Sequence, residues 1–202
     1  MARKNDEKLN YGAEIRSLKE IGPQRLYLLW GVEDYLREQY LAQLKTACLP
    51  EGEDSFSFKR MDGPDIDVNE LAQAVDAMPF LSDRSFVEIR GLDLNKLKDA
   101  DRLVAILSDI PDYCTVALVQ SAQFEPDGRL KAVKAIRALA RELKFTQQSQ
   151  GLLIDWIIRR FAAAGKGVEL DAVQRLIFVS GDLMNKLIPE IEKIAAYAQG
   201  EK

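Results

Sequence analysis

The chain has 202 residues, 47% hydrophobic and 30% charged, enough for one or two domains at roughly 150 residues each and for a full core without staples. Its 28 Lys and Arg against 32 Asp and Glu give a net charge of −4, which excludes nucleic-acid affinity founded on bulk positive charge. There is no histidine, so Ser-His-Asp and Cys-His triads, His-containing zinc sites and imidazole pH switches are excluded as well.

In chain order, residues 1 to about 9 are polar, charged, and without the apolar stretch of a signal peptide. A short helix with Ile15 and Leu18 on one face ends at Gly22-Pro23. Arg25 to Trp30 is an apolar run closed by Gly31, the pattern of a buried strand. Glu33 to Ala47 turns helical, with Leu36, Tyr40, Leu41 and Leu44 on one side. Ser55 to Met61 alternates through Phe56 and Phe58, a strand pattern. Asp67 or Asn69 caps a helix carrying Leu71, Ala74, Val75 and Met78, and Pro79 stops it. Ser85 to Ile89 is a third strand, Leu94 to Leu107 a helix, and Thr115 to Val119 a fourth strand. A helix from about Arg129 to Leu143 and a short strand over Lys144 to Gln147 follow. Strands alternating with helices predict a parallel sheet covered on both faces.

Beyond Thr146 only helices are expected. Ser149 to Ala164 carries Leu152, Leu153, Trp156, Ile157 and Phe161; Asp171 caps a second helix, and Asp182 opens a third that runs to about Gln199. The expected division is a 1–147 α/β domain and a 148–202 three-helix domain. Cys48 and Cys114 have no metal-site or CxxC spacing and read as reduced packing residues. No stretch approaches the roughly 18 apolar residues of a transmembrane helix, so no membrane partner and a cytoplasmic location are expected.

Four features bear on chemistry. The loop after the first strand, Gly31-Val32-Glu33-Asp34-Tyr35, lacks G-x-x-x-x-G-K-[ST] and puts two carboxylates where a phosphate would sit, against ATP binding. Gly165-Lys166-Gly167, the one Gly-Lys pair, reads as a connection. Met78-Pro79-Phe80-Leu81 follows a helix that proline has stopped, and is compatible either with folding under the sheet or with projecting as an apolar wedge into a partner's pocket. Lys131, Lys134, Arg137 and Arg141 recur at helical spacing opposite Leu130, Val133, Ile136, Leu139 and Leu143, as a solvated face or as a contact to a phosphate backbone. Asp65/Asp67 and Asp99/Asp101 fit turns and caps better than catalysis.

Four segments, in this order, resemble the delta subunit of the bacterial DNA polymerase III clamp loader. They are Leu26 to Leu36 (LYLLWGVEDYL), Arg60-Met61-Asp62-Gly63, Ala77 to Val87 (AMPFLSDRSFV), and Gly181-Asp182-Leu183 with Glu190 and Glu192-Lys193 downstream. The resemblance spans nearly the whole chain from Tyr11. It implies an AAA+ (P-loop NTPase-like) α/β fold without a functional P-loop or ATPase activity, followed by a helical lid. No catalytic residue, cofactor or metal is implied: the chain would be a subunit of a DNA-directed DNA polymerase complex, a nucleotidyltransferase only by association.

In that family the subunit binds the ring-shaped sliding beta clamp and holds it open. The resemblance carries the clamp contact onto Phe80 and Leu81, with Met78 and Pro79 shaping the wedge. It further implies the other loader subunits and, in the full complex, primed DNA as partners, with Lys131, Lys134, Arg137 and Arg141 as candidate DNA contacts. Two departures stand out. Met184 occupies the place of a lid arginine, and the family's third helical domain, the collar, would lie beyond Lys202, so clamp binding is expected of this chain and stable loader assembly is not. A degenerate nucleotide-binding protein and a DNA-binding module are the alternatives.

Overall fold

A computed structural model describes residues 9–50, 52, 56–80 and 82–198. Five strands form one parallel sheet: β1 (Leu26–Trp30), β2 (Phe58–Asp62), β3 (Ser85–Arg90), β4 (Cys114–Val119) and β5 (Arg141–Lys144), in the spatial order β2-β3-β4-β1-β5. α1 (Tyr11–Ile21) precedes β1, and the helices between the strands are α2 (Asp34–Cys48), α3 (Val68–Asp76), α4 (Ala100–Ser108) and α5 (Lys131–Leu139). Parallel strands need crossovers, and helices supply them here.

The central strands are apolar throughout because both faces are covered. Every residue of β1 and β4 is buried. Leu26, Leu28, Val87, Ile89, Val116 and Leu118 meet Leu71 and Val75 of α3, Leu103 and Leu107 of α4, and Val133 and Ile136 of α5 in one core. On the opposite face Tyr40 of α2 packs its ring 6.1 Å from Tyr27 and 6.0 Å from Phe145. Cys48 and Cys114 are free and buried, and burial pushes the Cys48 thiol up to about 11.

One acid lies in the sheet face that α2 covers. Glu88 on β3 is fully buried; its carboxylate lies 2.6 Å from Lys45 Nζ of α2 and also takes Arg90. Arg90 in turn donates to both oxygens of Glu38 on α2, at 2.9 and 2.7 Å.

The remaining helices, α6 (Gln150–Ala163), α7 (Leu170–Ser180) and α8 (Met184–Tyr197), form a second compact unit with residues 32–35, the first unit being the rest of the chain through Phe145. Its core holds Leu153, Ile157, Phe161, Val173, Met184, Leu187 and Ile191, and Tyr35 packs edge-on to Trp156 with ring centroids 5.5 Å apart. Ser149 caps α6 by accepting the Leu152 N–H. Among the described residues no helix is long and apolar enough to cross a membrane.

Five details differ from the sequence expectations. Phe56 and Ser57 form a turn before β2, so Phe56 lies outside the strand. The helix expected from Leu94 starts at Ala100, and Leu94 to Asp99 are loop, although Leu94 is still buried. The helix expected to reach Leu143 stops at Leu139, because residues 141–144 pair with Tyr27 to Trp30 of β1. Asp171 sits in the first turn of α7, with Glu169 at the cap position, and Asp182 precedes α8, whose cap residue is Leu183. Asp182 instead accepts from Gln147.

Gly31 lets β5 close on β1. Its φ is +120°, and a Cβ there would lie 2.8 Å from the Phe145 nitrogen, which donates to the Trp30 carbonyl at 2.7 Å. Gly31→Ala is therefore expected to destabilise the chain by about 2–4 kcal/mol, read by chemical denaturation. An unchanged midpoint would mean the turn relaxes freely.

Candidate functional site

The corner between α3 and β3 begins where α3 ends. Asp67 caps the helix by accepting the Asn69 N–H at 2.8 Å, and the Tyr113 hydroxyl donates to the Asp76 carbonyl at 3.1 Å. Ala77 leaves the helix in an extended conformation, and Pro79 keeps the next residue, Met78, from resuming it. Met78 and Phe80 then stand in solvent, 80% and 60% exposed. Leu81 lies outside the described residues.

A buried serine fixes this corner. Ser57, in the turn before β2, accepts the Phe80 N–H on its Oγ at 3.0 Å and lies 3.3 Å from the Phe80 carbonyl. The Ser82 hydroxyl stands 2.7 Å from Ser57 Oγ and 2.9 Å from the Arg84 carbonyl. The Ser57 carbonyl accepts from Phe86 at 2.8 Å, the first rung of the β2–β3 ladder. The turn thus holds the exposed segment by backbone bonds while leaving the Phe80 ring outside.

Sequence reasoning missed Phe56. Its ring is 92% exposed and meets Phe80 edge to face, with centroids 6.1 Å apart and planes at 83°. Phe56, Met78 and Phe80 make one apolar tip beside a cleft of about 260 Å³, whose walls include Phe58, Ala74, Ala77 and Phe86 and whose edge carries the 2.7 Å Lys59–Glu70 ion pair. Such a tip offers no proton transfer or nucleophile. It offers desolvation to a complementary surface.

The expected basic stripe is not one helix face. Lys131, Lys134 and Arg137 are exposed on α5, but Arg141 lies on β5, because the helix ends two residues earlier. Arg141 pairs with Glu14 of α1 at 2.6 Å, Arg137 with Glu142 at 2.8 Å, and Lys131 stands 3.8 Å from Asp101. These carboxylates neutralise much of the field a phosphate backbone would meet.

In the second unit, Glu33 is fully buried. Its carboxylate accepts the Met184 N–H that opens α8 at 3.3 Å, and the Tyr35 N–H also bonds to it. One oxygen, Oε1, has no hydrogen-bond partner. Burial raises the carboxyl to about 7, outweighing those two donors, and the neighbouring charges of Asp34 and Asp182 push the same way. A carboxylate thus occupies amide donors at two helix starts, the kind of site an anion would otherwise take.

A family model described as DNA polymerase III, delta subunit, matches residues 27–146. Among solved structures, the DNA clamp loader delta protein of Bacillus subtilis is similar with a TM-score of 0.67 at 17% identity, over 93% of this chain and 57% of that one. A DNA polymerase III gamma subunit-related protein of Thermotoga maritima is similar with a TM-score of 0.57 at 15% identity, over 92% and 58%. The chain therefore spans less than two thirds of either relative, and at these identities the likeness is one of fold. No curated protein matches the chain in sequence.

Glu33 yields a signed prediction. With its folded value near 7 and its ordinary value 4.5, the folded state holds a proton between those limits that the unfolded state has released. Its contribution to stability is full below about pH 4.5 and is lost as pH rises through about 7. The difference in unfolding free energy between wild type and Glu33→Gln should change by roughly 3 kcal/mol across that window, always against wild type at the alkaline end. A pH-independent difference would refute the shifted titration.

Proposed function

The chain belongs to the DNA polymerase III delta-subunit family, and from that membership we propose that it serves DNA replication as the clamp-loader subunit that binds and opens the sliding beta clamp, without ATPase activity of its own. The observation that carries the reading is the apolar tip: Phe80 projects from a corner pinned by Ser57, and its exposed ring needs a partner pocket. Phe80 and Leu81 dock in an apolar pocket of the clamp, with Met78 and Pro79 shaping their approach. Leu81 enters this reading through the family resemblance and its place next to Phe80.

Ring opening then follows from differential binding. The subunit prefers the sprung clamp interface over the closed one, and the equilibrium shifts by the difference in affinity. No bond is made or broken by this chain. Against nucleotide chemistry stand the missing phosphate-loop motif and the Glu33 carboxylate on the α2 and α8 amides. We assign the clamp contact to the 1–147 domain and read 148–202 as the lid. The other loader subunits, and primed DNA in the full complex, are the further partners of this cytoplasmic assembly.

Equilibrium binding to a purified sliding clamp from the same organism tests the reading. Phe80→Ser is expected to cost about 2–4 kcal/mol, a loss of roughly 30- to 900-fold in affinity, with the fold intact. Unchanged affinity would remove Phe80 from the interface, and no binding by the parent chain would overturn the function. Millimolar ATP is expected to give no saturable binding in calorimetry; micromolar binding would restore the nucleotide alternative.

A further inference from the structure

We propose that Phe56 is a second anchor of the same docking surface, so that the partner presents an apolar pocket wide enough for two aromatic rings held edge to face. This inference rests on the clamp reading above. Phe56 belongs to neither core: Phe58, two residues on, stacks against Phe86 with centroids 6.3 Å apart, while Phe56 is 92% exposed. An aromatic ring left in water carries an apolar area of about 150–200 Å² that only association can bury. Its neighbours are Phe80 and, across the cleft, Met78, so the exposed area is continuous with the proposed wedge. Around it the Lys59–Glu70 pair supplies a polar edge, the usual anatomy of an interface with an apolar centre.

The edge-to-face contact does a second thing. Phe56 and Phe80 restrict each other's rotamers before the partner arrives, and Ser57, next to Phe56 in the chain, holds the Phe80 backbone by its hydroxyl. A rigid pair loses less entropy on docking than two free rings. Removing Phe56 thus deletes its own contact and loosens Phe80.

The test uses the purified full chain and the clamp, with Phe56→Ser, Phe80→Ser, the double variant and Phe56→Leu, each also followed by thermal unfolding. Phe56→Ser is expected to bind about tenfold more weakly at an unchanged Tm, and Phe56→Leu, which keeps apolar bulk, within about threefold of the parent. The double variant should lose less than the product of the single losses, because the rings support each other. Affinity within twofold for Phe56→Ser while Phe80→Ser loses binding would overturn this inference and leave the clamp reading standing. Parental affinity in both single variants, or no binding by the parent, would overturn the reading and this inference with it. Weak binding by Phe56→Leu together with a lowered Tm in both Phe56 variants would make the effect one of folding and likewise overturn the assignment.

Discussion

The parallel pairing of β2 with β3 is the constraint on which the candidate site depends. Parallel strands start at the same edge of a sheet, so the segments that lead into them arrive side by side. Phe58 is in register with Phe86, and this places the Phe56-Ser57 turn against Phe80 and Ser82, about 25 positions away in sequence. An antiparallel pair would have sent the two turns to opposite ends. With them together, one serine hydroxyl can hold the Phe80 amide, and a short proline-broken corner becomes a fixed projection.

That pairing is itself anchored from the α2 side. Glu88 is buried in β3 between Lys45 and Arg90, and Arg90 reaches Glu38, so α2 is tied to the strand next to β2 by a chain of charges. Lys45 also lies 5.0 Å from the centre of the Phe58 ring. An ion network centred on a buried carboxylate adds little net stability compared with apolar residues of equal volume, but removing its cations leaves the Glu88 charge buried and unpaired. Its use here is positional: it fixes the register between α2 and the strands whose leading turns carry the exposed rings.

Legibility in the sequence followed the range of the forces involved. β1, β3 and β4 were readable as apolar runs such as LYLLW and CTVALV, because burial on both faces writes itself into consecutive residues. The break at Pro79 was readable because proline acts on its own backbone. Phe56 was misread because Phe-Ser-Phe has the period of a strand whether or not its first ring is buried. The end of α5 was misread because Ala, Leu and Arg favour a helix through Arg141, and only pairing with β1, more than a hundred residues earlier, pulls 141–144 into the sheet. Glu33 was read as a charge at a helix start; its full burial depends on the Met184 amide, 151 positions away.

The arrangement also separates two edges of one sheet. In open parallel sheets ligands bind beyond the carboxyl ends of the strands, where loops and helix starts offer amide donors. Here the carboxyl end of β1 runs into Gly31 and then Glu33, whose own carboxylate engages the Tyr35 and Met184 amides. An arriving polyphosphate would have to displace a carboxyl group already seated on those amides. The exposed rings, by contrast, lie before β2 and β3, at the amino ends of the strands, where apolar contact is the chemistry on offer. The amide donors and the exposed rings are therefore separate surfaces, since the residues of each derive from opposite ends of the same strands.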